Sequence, residues 1–211
     1  GVQTCALPIY MVAAAELYRK EGCDFIIGAG GGSPLDSAKM IKLLITNPGV
    51  VGYEAELRDN DIPFLAIPTT SGTGSEVTSI AVITDKVNAV KIPLNDELLI
   101  PDAAILDARF TRTVPPHVTA STGMDVLTHA VEAYTSRHSN VFTAIYAERA
   151  IRNVFTYLHR AYEQGDDMVA RDNMLIGSCM AGLAFTNSGL GITHSMAHSL
   201  GGQFHIPHGL A

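Results

Sequence analysis

The apolar positions of the chain change their period along its length. Val12 to Glu21 is Ala-rich with its charges gathered at the end, and predicts a helix. Phe25-Ile26-Ile27-Gly28 is a short continuous apolar run, the pattern of a fully buried strand. A glycine-rich turn follows. From Pro34 to about Thr46, Leu35, Ala38, Ile41, Leu44 and Ile45 recur on one face of a second helix. Strand, glycine turn and helix form one element of a parallel α/β sheet. Phe64-Leu65-Ala66-Ile67 predicts the next buried strand, ending in a hydroxyl-rich loop. Shorter strands are expected over 77–84, 89–94 and 103–107. After Pro115-Pro116 the texture becomes helical, with Ile151, Val154, Phe155, Leu158 and Tyr162 at helical spacing and Gly165-Asp166-Asp167 between two helices. The chain therefore reads as an α/β part followed by an all-helical part, with the boundary near residue 113.

Composition narrows the function classes. The 211 residues are 47% hydrophobic and 17% charged, enough apolar material for a sizeable core, which excludes wholesale disorder. Lys and Arg number 14 against 21 Asp and Glu, a formal net charge of −7. That balance argues against a nucleic-acid partner. No run of about 18 uncharged apolar residues is present, so no membrane-spanning helix is expected. Cys5, Cys23 and Cys179 are an odd number at unpatterned spacing, which fits a reducing compartment and a cytoplasmic location. Residues 6–15 are uncharged, but no Lys or Arg precedes them and Pro8 interrupts them, so they do not read as an export signal. Residues 1–10 lack helical or strand periodicity and are expected to be a non-native tail, an ordinary frayed terminus being the alternative. Both ends read as truncations of a longer protein.

Two loops are candidates for phosphate binding. Gly30-Gly31-Gly32-Ser33-Pro34-Leu35-Asp36 lies at the strand-to-helix junction. Glycines there admit a phosphate to the backbone, and the helix N-terminus offers free N–H groups and a positive dipole end. Ser33 is expected as the N-cap, Pro34 at N1, and Asp36 at N3 as a capping group. The turn is neither the usual dinucleotide fingerprint, because Ser33 replaces its last glycine, nor a P-loop, because no Lys follows the glycines. Thr69-Thr70-Ser71-Gly72-Thr73-Gly74-Ser75 follows the next strand. In open parallel sheets ligands bind beyond the carboxyl ends of strands, so both loops are placed to converge on one pyrophosphate. A tight turn and a polar surface loop, both without ligand, are the plain alternatives.

Four of the eight histidines fall near the C-terminus: His194, His198, His205 and His208. Upstream, Asp125 and His129 are four apart in a helical stretch, which puts carboxylate and imidazole on one face, one turn apart. His194 and His198 repeat the spacing. One carboxylate and several imidazoles among charge-poor helices suit Fe(II), Zn(II) or a similar ion. This reading leaves open whether His198 or His205 is the fourth ligand.

These segments together resemble the iron-containing (group III) alcohol dehydrogenase family. The resemblance rests on residues 30–39, on Pro68-Thr69-Thr70-Ser71-Gly72-Thr73-Gly74-Ser75-Glu76-Val77-Thr78, on residues 123–134, on His194-Ser195-Met196-Ala197-His198-Ser199-Leu200-Gly201-Gly202, and on His205-Ile206-Pro207-His208-Gly209-Leu210-Ala211. It implies an incomplete Rossmann-like parallel sheet over 11–113 and an incomplete all-α metal and substrate domain over 114–211. It implies Asp125, His129, His194 and His208 as metal ligands, and His198 as the histidine that relays a proton beside the nicotinamide. Gly31, Gly32 and Ser33 would hold the pyrophosphate of NAD or NADP. Thr69, Thr70, Thr73 and Thr78 would line the nucleotide, and Lys91 would reach its ribose. The family's N-terminal strands, with the acidic residue that reads the adenosine ribose, and its last C-terminal helices are missing, so NAD against NADP stays open.

The implied reaction is hydride transfer between NAD(P) and a small primary alcohol or aldehyde, with Fe(2+), or Zn(2+) in its place, as Lewis acid. The full-length protein is expected to be a homo-oligomer. The alternatives are a glycerol or polyol dehydrogenase, a zinc enzyme resembling dehydroquinate synthase, and a truncated chain inactive by itself.

Overall fold

The computed structural model describes residues 8–48, 57–85, 90–204 and 206–211. Helix α1 spans Pro8–Glu21, so Pro8, Ile9 and Tyr10 are helical where a structureless tail was expected; residues 1–7 lie outside the described residues. Strand β1 (Ile26–Gly30) leads through the glycine turn into α2 (Gly32–Thr46), and β2 (Phe64–Pro68) follows. β2 lies between β1 and the short β5 (Ala103–Ala104), all parallel, with Ile26 opposite Phe64, Gly30 opposite Pro68, and Leu65 opposite Ala103.

Helix α2 covers one face of this sheet, where Leu35 and Ala38 pack with Phe64, Ala66 and Ile26. Phe25 and Ile27 are each more than half exposed, so the fully buried strand expected from the apolar run is buried on one face only. Successive strand side chains point to opposite faces, and α2 packs on one of the two.

Strands β3 (Ile80–Asp85) and β4 (Val90–Asn95) pair antiparallel, Ile80 opposite Asn95 and Ala81 opposite Leu94, as a separate two-stranded sheet. The expected strand over 89–94 thus begins at Val90, residue 89 lying outside the described residues. Val77, expected to open a strand, instead closes a turn of 3₁₀ helix, Ser75–Val77, and the strand begins at Ile80. The hairpin packs on the second side of α2: Ala81, Ile83 and Leu94 meet Met40, Leu43 and Leu44, with Met11 and Ala15 of α1. This explains why Met40 and Leu43 are buried while the expected Ile41 and Ile45 are only half-buried. A helix packed on two sides does not follow a single stripe.

Helices α3 (Pro116–Thr135), α4 (Val141–Glu163), α5 (Met168–Ser188) and α6 (Ile192–Phe204) complete the chain with a final 3₁₀ turn, His208–Leu210. The core between α3, α4 and α5 is rich in alanine: Ala130, Ala133, Ala147, Ala150, Ala181 and Ala184 are fully buried. Small side chains let helix axes approach closely. For that reason α4 buries its alanine face together with the expected Val154, Ile151 and Leu158 packing beside it, and leaves the expected Phe155 75% exposed and Tyr162 exposed. Asn140 caps α4 through a reciprocal box with Thr143, and Asp167 caps α5 by accepting from the Ala170 N–H. Between α5 and α6 the chain turns by 105°, with Gly189 at a positive φ. Among the described residues no single helix is long and apolar enough to cross a membrane.

Candidate active site

The glycine turn and the hydroxyl-rich loop touch each other. A Cβ on Gly32 would lie 2.6 Å from Thr73 Cγ2, and one on Gly31 would lie 3.1 Å from Thr70 Oγ1. The glycines therefore allow two loops to pack, in addition to leaving backbone N–H groups open at the start of α2. The helix begins at Gly32, with Gly31 as N-cap and no side-chain capping bond. This overturns the expected capping roles of Ser33 and Asp36. With the helix starting earlier, Asp36 lies beyond the first three positions and turns inward, accepting from Ser75 Oγ at 2.7 Å and from the Val82 N–H at 3.0 Å. Burial pushes its carboxyl up against the pull of Lys39.

A cavity of about 350 Å³ runs from this turn to the histidines. Gly32, Ser33, Thr73, Thr78 and Lys91 line it at one part, and Asp125, His129, His194, His198 and His208 at another. Gly31, Thr69 and Thr70 stand beside the cavity and do not line it. The Thr69 N–H is bonded to the Gly30 carbonyl, and the Thr78 hydroxyl is engaged by Lys39 Nζ at 3.0 Å.

Asp125 and His129 project from one face of α3, His194 from the first turn of α6, and His208 from the final 3₁₀ turn. That turn lies against α3 so closely that a Cβ on Gly209 would collide with the Ser121 backbone. The Nε2 atoms of His194 and His208 each lie 3.5 Å from Asp125 Oδ1, and that of His129 lies 3.8 Å away. Donors bonded at about 2.0–2.1 Å around a tetrahedral cation sit about 3.4 Å apart. The spacing fits such a cation, and the donor set of one carboxylate oxygen and three imidazole nitrogens fits iron or zinc. His194 Nε2 is buried with no hydrogen-bond partner, a costly state for a polar atom unless an electrophile occupies the point it faces. His129 is stacked between Phe185 and His194, its ring 4.4 Å from each.

His198 stands outside this group, edge-on to His208 at 5.0 Å. His205 lies outside the described residues. Burial lowers His129 to about 4 and His208 to about 4, each against the pull of Asp125. Burial raises the Asp125 carboxyl, but the surrounding imidazoles overcome this and hold it low. At neutral pH Asp125 is thus ionised and His129 and His208 neutral, as metal ligation requires, whereas His194, against its burial, is raised by its hydrogen bonds to Asp125 and Glu132. Burial, together with the nearby charge of Lys91, lowers His198.

Two residues that support the site from behind escaped the sequence reading. Glu132, on the face of α3 that carries Asp125 and His129, lies 2.6 Å from His194 Nδ1 and accepts from the Gly191 and Thr193 N–H groups at 2.9 and 2.8 Å. Its i, i+4, i+7 relation to Asp125 and His129 was an available signal. Lys39 is fully buried and donates to the Thr78 and Ile80 carbonyls at 2.8 and 2.7 Å. A lysine inside the Ala38–Met40 apolar stripe marked it.

Residues 9–108 match the family described as iron-containing alcohol dehydrogenase, and residues 119–211 match the C-terminal part of the Fe-containing alcohol dehydrogenase family. The probable alcohol dehydrogenase EutG of Escherichia coli (strain K12) is 49% identical over 204 residues, covering 94% of this chain and 51% of that protein. The 1-propanol dehydrogenase PduQ of Salmonella typhimurium is 50% identical over 186 residues, covering 88% and 48%. A solved 1,3-propanediol oxidoreductase superposes with a TM-score of 0.93 at 39% identity, over 99% of this chain and 56% of that one. Sulfoacetaldehyde reductase from Bifidobacterium kashiwanohense, in complex with NAD+, gives a TM-score of 0.93 at 34% identity, over 98% and 56%. The chain spans about half the length of the curated relatives it matches.

Proposed function

The chain belongs to the iron-containing alcohol dehydrogenase family, and from that premise we propose that it carries the metal centre and part of the nucleotide site of an NAD(P)-dependent alcohol dehydrogenase. The observation that carries the reading is the convergence of three imidazole nitrogens on one buried carboxylate oxygen, in the same cleft as the glycine turn. Asp125, His129, His194 and His208 would hold Fe(2+) or Zn(2+). Residues 11–113 supply the nucleotide part and 114–211 the metal and substrate part.

When bound, the cation supplies Lewis acidity at the substrate oxygen, and the nicotinamide supplies or accepts hydride. The chain's own residues do the rest. The free N–H groups at the start of α2, at Gly32 and Ser33, favour the pyrophosphate, and the helix dipole adds to this. Thr73 and Thr78 line the nucleotide path, with Thr69 and Thr70 supporting it from behind, and Lys91 reaches the ribose. Ile80, Val82, Pro93, Phe185 and Leu190 give the cleft apolar walls that exclude water from the reacting atoms. A ring nitrogen of His198 passes the alcohol proton outward.

The substrate class is a small primary alcohol or its aldehyde, and the working form is a homo-oligomer of the full-length protein. The similar butanol dehydrogenase of Clostridium saccharobutylicum is NADPH-dependent and the methanol dehydrogenase of Bacillus methanolicus NAD-dependent, so either nucleotide is compatible with this frame. A lyase of the dehydroquinate synthase type needs a basic cluster for a substrate phosphate. Among the described residues lining the cleft, Lys91 is the single Lys or Arg.

Full-length protein carrying this sequence, reconstituted with Fe(2+) or Zn(2+), is expected to form reduced nicotinamide from NAD or NADP when given 1-propanol or 1-butanol. The absorbance of the reduced ring reports it. No reaction in either direction, with either metal and either nucleotide, contradicts the reading.

A further inference from the structure

We propose that Glu132 is a positioning residue for the candidate metal centre: one carboxylate sets the imidazole of His194 and at the same time fastens the helix that carries it. The inference rests on the metal-site reading above.

The carboxylate makes three polar contacts, all to one short segment. Its Oε2 lies 2.6 Å from His194 Nδ1 and accepts from the Gly191 N–H at 2.9 Å, and its Oε1 accepts from the Thr193 N–H at 2.8 Å. An ionised carboxylate only accepts, so the proton of a neutral His194 ring sits on Nδ1. That leaves a lone pair on Nε2, the atom that faces Asp125 at 3.5 Å and has no other partner. Imidazole ligands held this way keep their tautomer and ring orientation, and losing the outer partner weakens metal binding.

The second function follows from the backbone. The first turn of a helix carries N–H groups with no partner inside the helix. Glu132 takes two such groups at the start of α6, so α3 caps α6 from outside. The chain has just turned by 105° between α5 and α6. The carboxylate reaches this bend because residue 191 is glycine: a Cβ there would lie 2.7 Å from Glu132 Oε1. His194 and His198 both ride on α6. Ligand orientation and helix docking are therefore set by one side chain.

The test uses metal-depleted full-length protein titrated with Zn(2+) in competition with a chromophoric chelator, beside nitrogen NMR of the His194 ring. Glu132→Gln is expected to bind Zn(2+) roughly 10–100-fold more weakly than wild type. In metal-free wild type His194 Nδ1 is expected to carry a proton held to Glu132, and in Glu132→Gln to lose it in part of the molecules. Gly191→Ala leaves every proposed ligand and Glu132 itself in place and is expected to weaken Zn(2+) binding in the same direction; it serves if the first variant does not fold. Equal Zn(2+) affinity in wild type and the variants, or an Nε2–H tautomer in wild type, overturns the role of Glu132 alone. A wild type that takes up no Zn(2+) overturns the metal-site reading, and this proposal with it.

Discussion

Glu76 is 1% exposed and its Oε1 has no hydrogen-bond partner. Burial pushes its carboxyl from the ordinary 4.5 up to about 7, against its own backbone hydrogen bond and the attraction of Lys39. A group whose folded pKa lies above its unfolded one contributes stability that is full below about pH 4.5 and lost as pH rises through 7. Glu76→Gln keeps the shape and removes the charge. Its stability gain over wild type is expected to grow across that window, by on the order of 3 kcal/mol. Urea denaturation at pH 5 and pH 8 measures it, and a gain that does not change with pH contradicts the argument. At this scale the sequence was legible where partners are one helical turn apart, as with Asp125 and His129. It was illegible where they come from distant segments. Glu132 meets Gly191 and His194 across 59 and 62 positions, and Asp36 meets Val82 across 46. Local spacing alone made a helix cap of Asp36.

The elements show where periodicity suffices. Strand, glycine turn and helix were readable from β1 to α2 because each has its own period and the glycines punctuate them. The pairing of β3 with β4 was not, since a short apolar run is the same in a parallel sheet and in an antiparallel hairpin. On α4 the expected Val154, Ile151 and Leu158 do pack in or against the core, but Phe155 and Tyr162 do not, because the alanines shift the buried face away from them. The last element carries a prediction. The turn His208–Leu210 holds a proposed ligand against α3 through the contact of Gly209 with the Ser121 backbone. Gly209→Ala is expected to push the turn away from α3 and displace His208, lowering bound metal at least several-fold. The α3–α5 core stays intact, so far-UV circular dichroism and the main unfolding transition are expected to match wild type. Unchanged metal content in this variant contradicts the placement of His208.

At the scale of the molecule, an α/β part and a helical part enclose one cleft, and neither part holds all of its lining. The hairpin brings Lys91 beside Gly201 of α6, so Lys91 and the histidine cluster line a common space. This convergence was foreseeable as two sets of motifs, but their distance from each other follows only from how α2, the Ser75–Val77 turn and α5 pack. The central claim is that one divalent cation is held by Asp125, His129, His194 and His208, and elemental analysis of the purified full-length protein after Fe(2+) or Zn(2+) loading and desalting tests it most directly. The account predicts about one metal ion per wild-type chain and a loss of most of it in His208→Ala and Asp125→Asn. Stoichiometric metal retained by both variants, or none bound by wild type, would contradict it.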